Sequence, residues 1–490
     1  MKQPNILFFL VDDLGWSDLG CYDSPFYETP NIDQLRSRGM LFTDAYAACP
    51  VCSPTRGSLL TGKYPATLGI TDWIDWGGSV HPAKGKLIDV PYIKSMPLEE
   101  KTLAHSFSEA GYATWHIGKW HLGGTGHHPQ DVGFHVNIGG CHMGSPGKDG
   151  YFSPWGIPGL SGSDVAEGTY LTDYLTDQAI SLLNDHCGSV QSSQPFFLDM
   201  WYYLVHTPIE APEELVEKYR TKARHMGLDR DDAFAVGDFY PTEHKQDIRI
   251  KRRIRQSDPV YAAMVEKLDQ SVGRILNELE RVGAAENTLI VFTSDNGGLS
   301  TADRSPTCNA PLSEGKGWMY EGGVREPLLI SWPNRVAPGS ICSLPVSSPD
   351  FYPTLLEAAG LPLLPTQHCD GESFLPAFSD PAGDTAAAHL KQRPLFWHYP
   401  HYGNQGGTPG SVIRKGNWKL LHFFEDDGTE LYNLDDDISE TYDRRSAEPK
   451  IEKQLKQELD EWRTKVEALI PQENTNYSPW KERSSPHHSA

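Results

Sequence analysis

The sequence predicts an α/β fold: a large mixed, mostly parallel sheet flanked by helices, followed by a smaller C-terminal α+β subdomain with an antiparallel sheet. Three observations predict it. Short apolar runs alternate with amphipathic segments from residue 5 to about residue 360, the pattern of doubly buried strands and covering helices. Polar clusters follow these apolar runs, as expected where ligands gather at the carboxyl ends of strands. After about residue 385 the pattern changes to short antiparallel-type strands and one charged helix. The domains drawn on this basis are 1–385 and 386–490.

Taken in order, residues 5–11 form a strand that runs into Asp12-Asp13. Thr29-Pro30 opens a helix that ends at Arg38-Gly39. Residues 40–47 are the next strand. A helix is expected over 98–110, stopped by Gly111, and a strand over 112–117 that leads into Gly118-Lys119-Trp120-His121-Leu122-Gly123. Residues 195–203 form a strand ahead of His206. A long amphipathic helix covers 259–282 and a strand covers 288–293, opening onto Ser294-Asp295-Asn296-Gly297-Gly298. A strand at 324–332 and a helix at 350–359, closed by Gly360, complete the first domain. In the second, 394–399, 411–424 and 430–434 read as antiparallel strands and 440–470 as mostly helix. The tail from Pro471 is expected to wrap the surface or fray. The basic run Lys251-Arg-Arg-Ile-Arg255 reads as a solvated face.

The chain is organised around Cys49-Pro-Val-Cys52-Ser53-Pro54-Thr55-Arg56, followed by Leu59-Leu-Thr-Gly-Lys63. Ser53 and Pro54 look like a helix start and Gly62 like its stop. Cys52 then lies at a helix N-terminus that favours an anion, with Arg56 in reach of it. Two duller readings compete. Cys49-Pro-Val-Cys52 is a C-x-x-C, a redox pair or half a metal site. Cys52 could also be an inert buried thiol.

Composition bounds the partners. A formal net charge of -22 disfavours nucleic acid and anionic membranes. An anionic substrate would need local cations at the site. No apolar run approaches the roughly 20 residues of a membrane span. The N-terminal run has no cleavage signal and reads as a strand, not a signal peptide. A periplasmic or secreted location with a leader removed and a cytoplasmic one both stay open. Eight cysteines allow one or two disulfides.

Cys-x-Pro-x-Arg followed by Leu-Leu-Thr-Gly-Lys resembles the signature of type I, formylglycine-dependent sulfatases, of the alkaline phosphatase-like superfamily. The resemblance covers most of the chain and looks nearest to bacterial carbohydrate sulfatases. It implies that a formylglycine-generating enzyme oxidises Cys52 to an aldehyde. It implies one calcium ion, with magnesium as the alternative, bound by Asp12, Asp13, Cys52, Asp295 and Asn296. These oxygens suit a hard cation. It also carries Arg56, Lys119, His121, His206 and Lys316 over as catalytic residues. In the implied mechanism the aldehyde hydrate attacks sulfur. Arg56, Lys119 and Lys316 hold the sulfate oxygens. His206 or Lys316 protonates the leaving alcohol, and His121 takes a proton so that sulfate departs.

For substrate, the resemblance implies a sulfated saccharide, with galactose or N-acetylgalactosamine units favoured. Trp73, Trp76, His398 and His401 are the candidate substrate residues. Two rival readings stand beside it: a phosphonate or phosphate monoester hydrolase of the same superfamily, and a non-catalytic sulfated-glycan binding protein.

Overall fold

The computed structural model describes residues 3–75, 84–161, 165–188, 194–230, 233–302 and 305–477. Eight strands form the ordered path of the main sheet: β1 (Asn5–Val11), β2 (Met40–Tyr46), β3 (Ala113–Gly118), β4 (Val136–Ile138), β5 (Phe196–Trp201), β6 (Thr288–Ser294), β7 (Arg325–Ser331) and β8 (Ser340–Cys342). They run in the order β8-β2-β7-β6-β1-β5-β3-β4, and the short strand Val346–Ser347 pairs beside β2 as a ninth. Every pairing is parallel except those of β7, which is antiparallel to both β2 and β6.

β1 is apolar throughout because it is covered on both faces. Leu7, Phe9 and Val11 join a core with helices α1 (Pro30–Arg38), α4 (Leu171–Cys187), α5 (Glu213–Met226) and α6 (Pro259–Arg281). Ile6, Phe8 and Leu10 face α2 (Cys52–Thr61), α3 (Leu103–Glu109) and α7 (Phe351–Ala358). In register, Val11 lies opposite Ser294, Leu10 opposite Trp201, and Gly118 opposite Trp201. The residues that follow β1, β3, β5 and β6 therefore emerge along one edge.

The second sheet is antiparallel, in the order β9 (Pro394–Tyr399), β10 (Gly410–Lys415), β11 (Trp418–Phe423) and β12 (Thr429–Asn433). One face packs on α8 (Pro449–Lys465) through Phe396, Ile413, Leu420, Leu455, Leu459 and Trp462. The other face, with Leu395, Trp397, Tyr399 and Leu421, packs on Tyr46, Cys49 and Val51, the approach to Cys52. Trp397 Nε1 donates to the carbonyl of Ala47 at 2.7 Å. Lys419 is fully buried between Glu321 and Glu440, at 2.9 and 2.8 Å, tying β11 to the segment that follows Lys316.

Four expectations shift. The stretch 411–424, read as one strand, is β10 and β11, with the turn at Gly416 and Asn417. The helix expected over 98–110 starts at Leu103, because the Thr102 hydroxyl accepts from the His105 amide and the His105 ring accepts from the Thr102 amide. The helix expected over 440–470 spans Pro449–Lys465; Asp437 accepts from the amides of Thr441 and Tyr442 and holds the start of that stretch in turns. The basic run is not merely a solvated face. Arg249–Arg253 pairs with Phe234–Phe239 in a two-stranded ribbon, and Arg253 is buried. The described part of the tail, residues 471–477, wraps back, with Gln472–Glu473 pairing to Leu87–Ile88. All eight cysteines are free thiols. No described helix is long and apolar enough to cross a membrane.

Candidate active site

α2 begins two residues earlier than its sequence suggests. Val51 is extended (φ -141°, ψ 160°) and Cys52 is the first helical residue. Ser53 is not the cap. Its hydroxyl donates to the carbonyl of His121 at 2.9 Å and accepts from the amide of Ile74 at 3.0 Å. Pro54 gives up an N–H that the first turn would leave unpaired. Gly62 closes the helix at φ +70°, where any Cβ would meet His368. All ten residues of α2 are buried, so its N-terminus is fixed at the end of the pocket.

Around Cys52 three carboxylates meet three cations. Lys119 Nζ reaches Asp12 at 2.6 Å. Lys316 Nζ reaches both oxygens of Asp13, at 2.7 and 2.8 Å. Arg56 grips Asp295 through Nε at 2.8 Å and Nη2 at 2.7 Å, and donates to the carbonyl of Lys119 at 2.9 Å. The Cys52 Sγ lies 3.5 Å from Asp12 Oδ1 and 3.5 Å from Lys316 Nζ. Burial pushes Asp12 up to about 7 against the pull of Lys119. For Asp13 burial acts the same way, but Lys316 and His206 outweigh it and hold the carboxyl well below the usual range. Burial pushes the Cys52 thiol up to about 12, despite Lys119 and Lys316. At neutral pH that thiol keeps its proton and is a poor nucleophile.

The donors suit a hard cation. Ligating atoms of Asp12, Asp13, Cys52 and His206 lie within 4.8 Å of one another. Asn296 donates to Asp13 Oδ1 at 2.8 Å, while its own buried Oδ1 has no hydrogen-bond partner among the described residues. Asp295 Oδ1 accepts from the Asp13 amide at 3.3 Å. Asp13 sits at φ +62°, a left-handed conformation that a non-glycine residue holds only when its surroundings impose it. Oxygens dominate the set, which favours calcium or magnesium over zinc.

Two histidines complete the floor. His121, at φ +59°, donates from Nε2 to the carbonyl of Ile74 at 3.0 Å, which leaves a lone pair on Nδ1. That nitrogen is buried and has no partner among the described residues. Burial, then Lys119, push its pKa well below the usual value, so the ring is a neutral acceptor. His206 donates from Nδ1 to the Thr207 carbonyl at 2.8 Å and sets Nε2 3.6 Å from Asp13. Burial and Lys316 push it down to about 3.

Cys52, His121, His206 and Lys316 floor a pocket of about 400 Å³. Val51, Trp73 and Ile74 form one wall, residues 142–145 another, and Asn404 with Gln405 the rim. Arg56, Lys119 and the acids lie beneath, fully or almost fully buried. Of the candidate substrate residues, Trp73 lines the pocket and Trp76 lies outside the described residues. His398 and His401 are not brought there. His398 is buried between Ser411 and the carbonyl of Leu469, and His401 between Thr71 and Asp89. Sequence reading missed His142-Met143-Gly144-Ser145. It is a glycine-flanked polar cluster after β4, the same signal that found the others. Gly144 matters there, since a Cβ would stand 2.4 Å from the His121 ring.

The chain is similar to known proteins over most of its length. A family model described as Sulfatase matches residues 4–361, and one described as N-sulphoglucosamine sulphohydrolase, C-terminal, matches 315–465. A sulfatase of Formosa agariphila is 32% identical, over 91% of this chain and 85% of its own length. The N-acetylgalactosamine-6-sulfatase of Homo sapiens is 31% identical, over 81% of this chain and 68% of its own. The crystal structure of Ps i-CgsB in complex with k-i-k-neocarrahexaose superposes with a TM-score of 0.73 at 30% identity, covering 94% of this chain and 92% of that one. The phosphonate monoester hydrolase of Agrobacterium radiobacter shares the fold, with a TM-score of 0.62 at 20% identity, over 95% of this chain and 96% of that one.

Proposed function

The chain belongs to the sulfatase family, and from that premise we propose that it hydrolyses the sulfate ester of a sulfated carbohydrate, with galactose or N-acetylgalactosamine units favoured. One observation carries the mechanistic reading. Cys52 is the first residue of a fully buried helix and stands at the floor of the pocket, its sulfur 3.5 Å from both Asp12 Oδ1 and Lys316 Nζ. Acids and cations are thus gathered around one side chain that would face a bound ester, the arrangement a nucleophile needs.

In the family that cysteine becomes formylglycine, whose hydrated aldehyde supplies one hydroxyl to attack sulfur and a second whose deprotonation lets the product ester collapse. A formylglycine-generating enzyme is the proposed maturation partner. One calcium ion, held by Asp12, Asp13, Asp295, Asn296 and the side chain at position 52, would acidify the attacking hydroxyl. The remaining steps belong to this chain's own groups. Lys316 stands in the floor of the pocket with Arg56 and Lys119 buried beneath it, and together they would offset the charge that moves to the leaving oxygen. Lys316 opens to the pocket and keeps its proton, because Asp13 outweighs the cost of burial. It is the proton donor to the departing alcohol, with His206 beside it. His121 Nδ1 is the acceptor for the second hydroxyl's proton.

The leaving sugar would lie between Trp73 and the 142–145 wall, with Asn404 and Gln405 reading its hydroxyls. Sulfate release from sulfated galactose and N-acetylgalactosamine, choline sulfate, an aryl sulfate and the matched phosphate ester tests the assignment. Turnover is expected on the sulfated sugars above the rest. Activity confined to choline and aryl sulfates ends the sugar reading, and a preference for the phosphate ester ends the sulfatase reading.

A further inference from the structure

The two-stranded ribbon of Phe234–Phe239 and Arg249–Arg253 stands next to the pocket, and the chemistry above does not use it. Its inner side is anchored to the rim. Lys245, in the connecting loop, donates to the carbonyl of Asn404 at 2.8 Å. Ile250 packs against Gly406, where an added Cβ would meet it at 2.6 Å. Arg252 pairs with Glu314, two residues ahead of Lys316. The outer side carries exposed Arg249 and Lys251, neither in an ion pair with a described carboxylate, beside Val236 at 63% and Phe239 at 38% exposure. The Arg249 guanidinium lies 4.5 Å over the Phe239 ring.

The stretch 234–255 holds six lysines and arginines, of which Arg252 pairs with Glu314 and buried Arg253 with Asp258, beside the three acids Asp238, Glu243 and Asp247, in a chain whose net charge is -22. Exposed Arg249 and Lys251 beside the rim of the pocket, in a chain that is anionic as a whole, favour an anion there. Guanidinium groups match the geometry of sulfate oxygens. Five strand residues extend roughly 17 Å, longer than one ring.

We propose that this ribbon is a second anion subsite, which holds a further sulfate of the same saccharide chain while the reacting ester sits over Cys52. The substrate class is then a multiply sulfated oligo- or polysaccharide rather than a monosaccharide. The inference rests on the sulfated-sugar reading of the pocket.

The test is the double variant Arg249→Ser/Lys251→Ser, assayed on N-acetylgalactosamine 6-sulfate and on a hexasaccharide of chondroitin 6-sulfate. On the hexasaccharide kcat/KM is expected to fall about fivefold, the effect of two exposed ion pairs, and to lose part of its salt dependence. On the monosaccharide it stays unchanged. An equal change on both substrates, or none on either, overturns the subsite while leaving the pocket assignment intact. If the parent releases sulfate from neither, that sugar assignment fails, and the ribbon is read by electrophoresis through gels containing dextran sulfate. Retardation of the parent and its loss in the variant support the ribbon; equal mobility of the two overturns it. A parent retarded as strongly by single-stranded DNA has a general polyanion surface, which also overturns it.

Discussion

Gly144→Ala should damage turnover while leaving the fold in place. An ideal Cβ at 144 would stand 2.4 Å from Cε1, 2.7 Å from Nε2 and 2.8 Å from Nδ1 of His121. Carbon atoms rest about 3.5 Å apart or more, so the ring and the loop must separate by about 1 Å. The ring has no easy retreat. His121 is 5% exposed, its Nε2 is bonded to Ile74 and its carbonyl receives the Ser53 hydroxyl. Losing the Ile74 bond costs about 1 kcal/mol of stability. A catalytic group displaced by that distance typically loses about 100-fold. The expectation is a fall in kcat of about 10- to 100-fold with KM within about twofold, and His121→Ala/Gly144→Ala no worse than His121→Ala alone. Steady-state kinetics beside a melting curve measure this, with Met143→Ala as the control that alters KM. A Gly144→Ala enzyme with kcat within about threefold of the parent would falsify the role given to His121.

Other expectations follow from the same groups. Cys52→Ser should fold normally and lose turnover by about 1000-fold or more, with covalent sulfate visible by intact mass; brisk turnover by the serine enzyme removes the need for the second hydroxyl. Chelation should abolish sulfate release and lower the melting temperature, and calcium should restore both; at about 100 Kd of ion the stabilisation is about 2.7 kcal/mol. A chelated enzyme with full activity speaks against the cation. Burial first of all pushes Glu440 up to about 7 from 4.5, with Lys419 opposing. The folded chain therefore binds that proton more tightly than the unfolded one, and stability falls as pH rises between those values. Glu440→Gln should accordingly gain melting temperature over the parent at pH 8 and not at pH 4.5, and a gain equal at both would show that Glu440 is not the titrating group.

Much of the site was legible because it obeys a local rule. Asp12, Lys119 and Asp295 each begin where a buried apolar run stops, and parallel pairing brings those ends together. The misreadings were tertiary. Ser53 looks like a cap in isolation, but the chain around Ile74 and His121 claims its hydroxyl. His398 and His401 were candidates for holding substrate, yet β9 ends against a packed face and both rings are used as internal hydrogen-bond partners. The onset of α3 is set by one threonine–histidine exchange that apolar periodicity cannot display. The 142–145 wall was missed because its residues carry no acid or lysine, although their position after β4 is the informative fact.

The central place of β1 has a consequence for how the molecule is made. Its neighbours in the sheet are β5 and β6, and Asn5 pairs with Thr288. A ribosome adding about 5–20 residues per second leaves this strand without its second partner for roughly 15–60 s. Until then an apolar segment with at least one bare amide edge travels with the growing polypeptide, where a chaperone or a neighbouring nascent chain can claim it. A chain stopped short of Ser294 has made Asp12 and Asp13 but not the strand against which both are set.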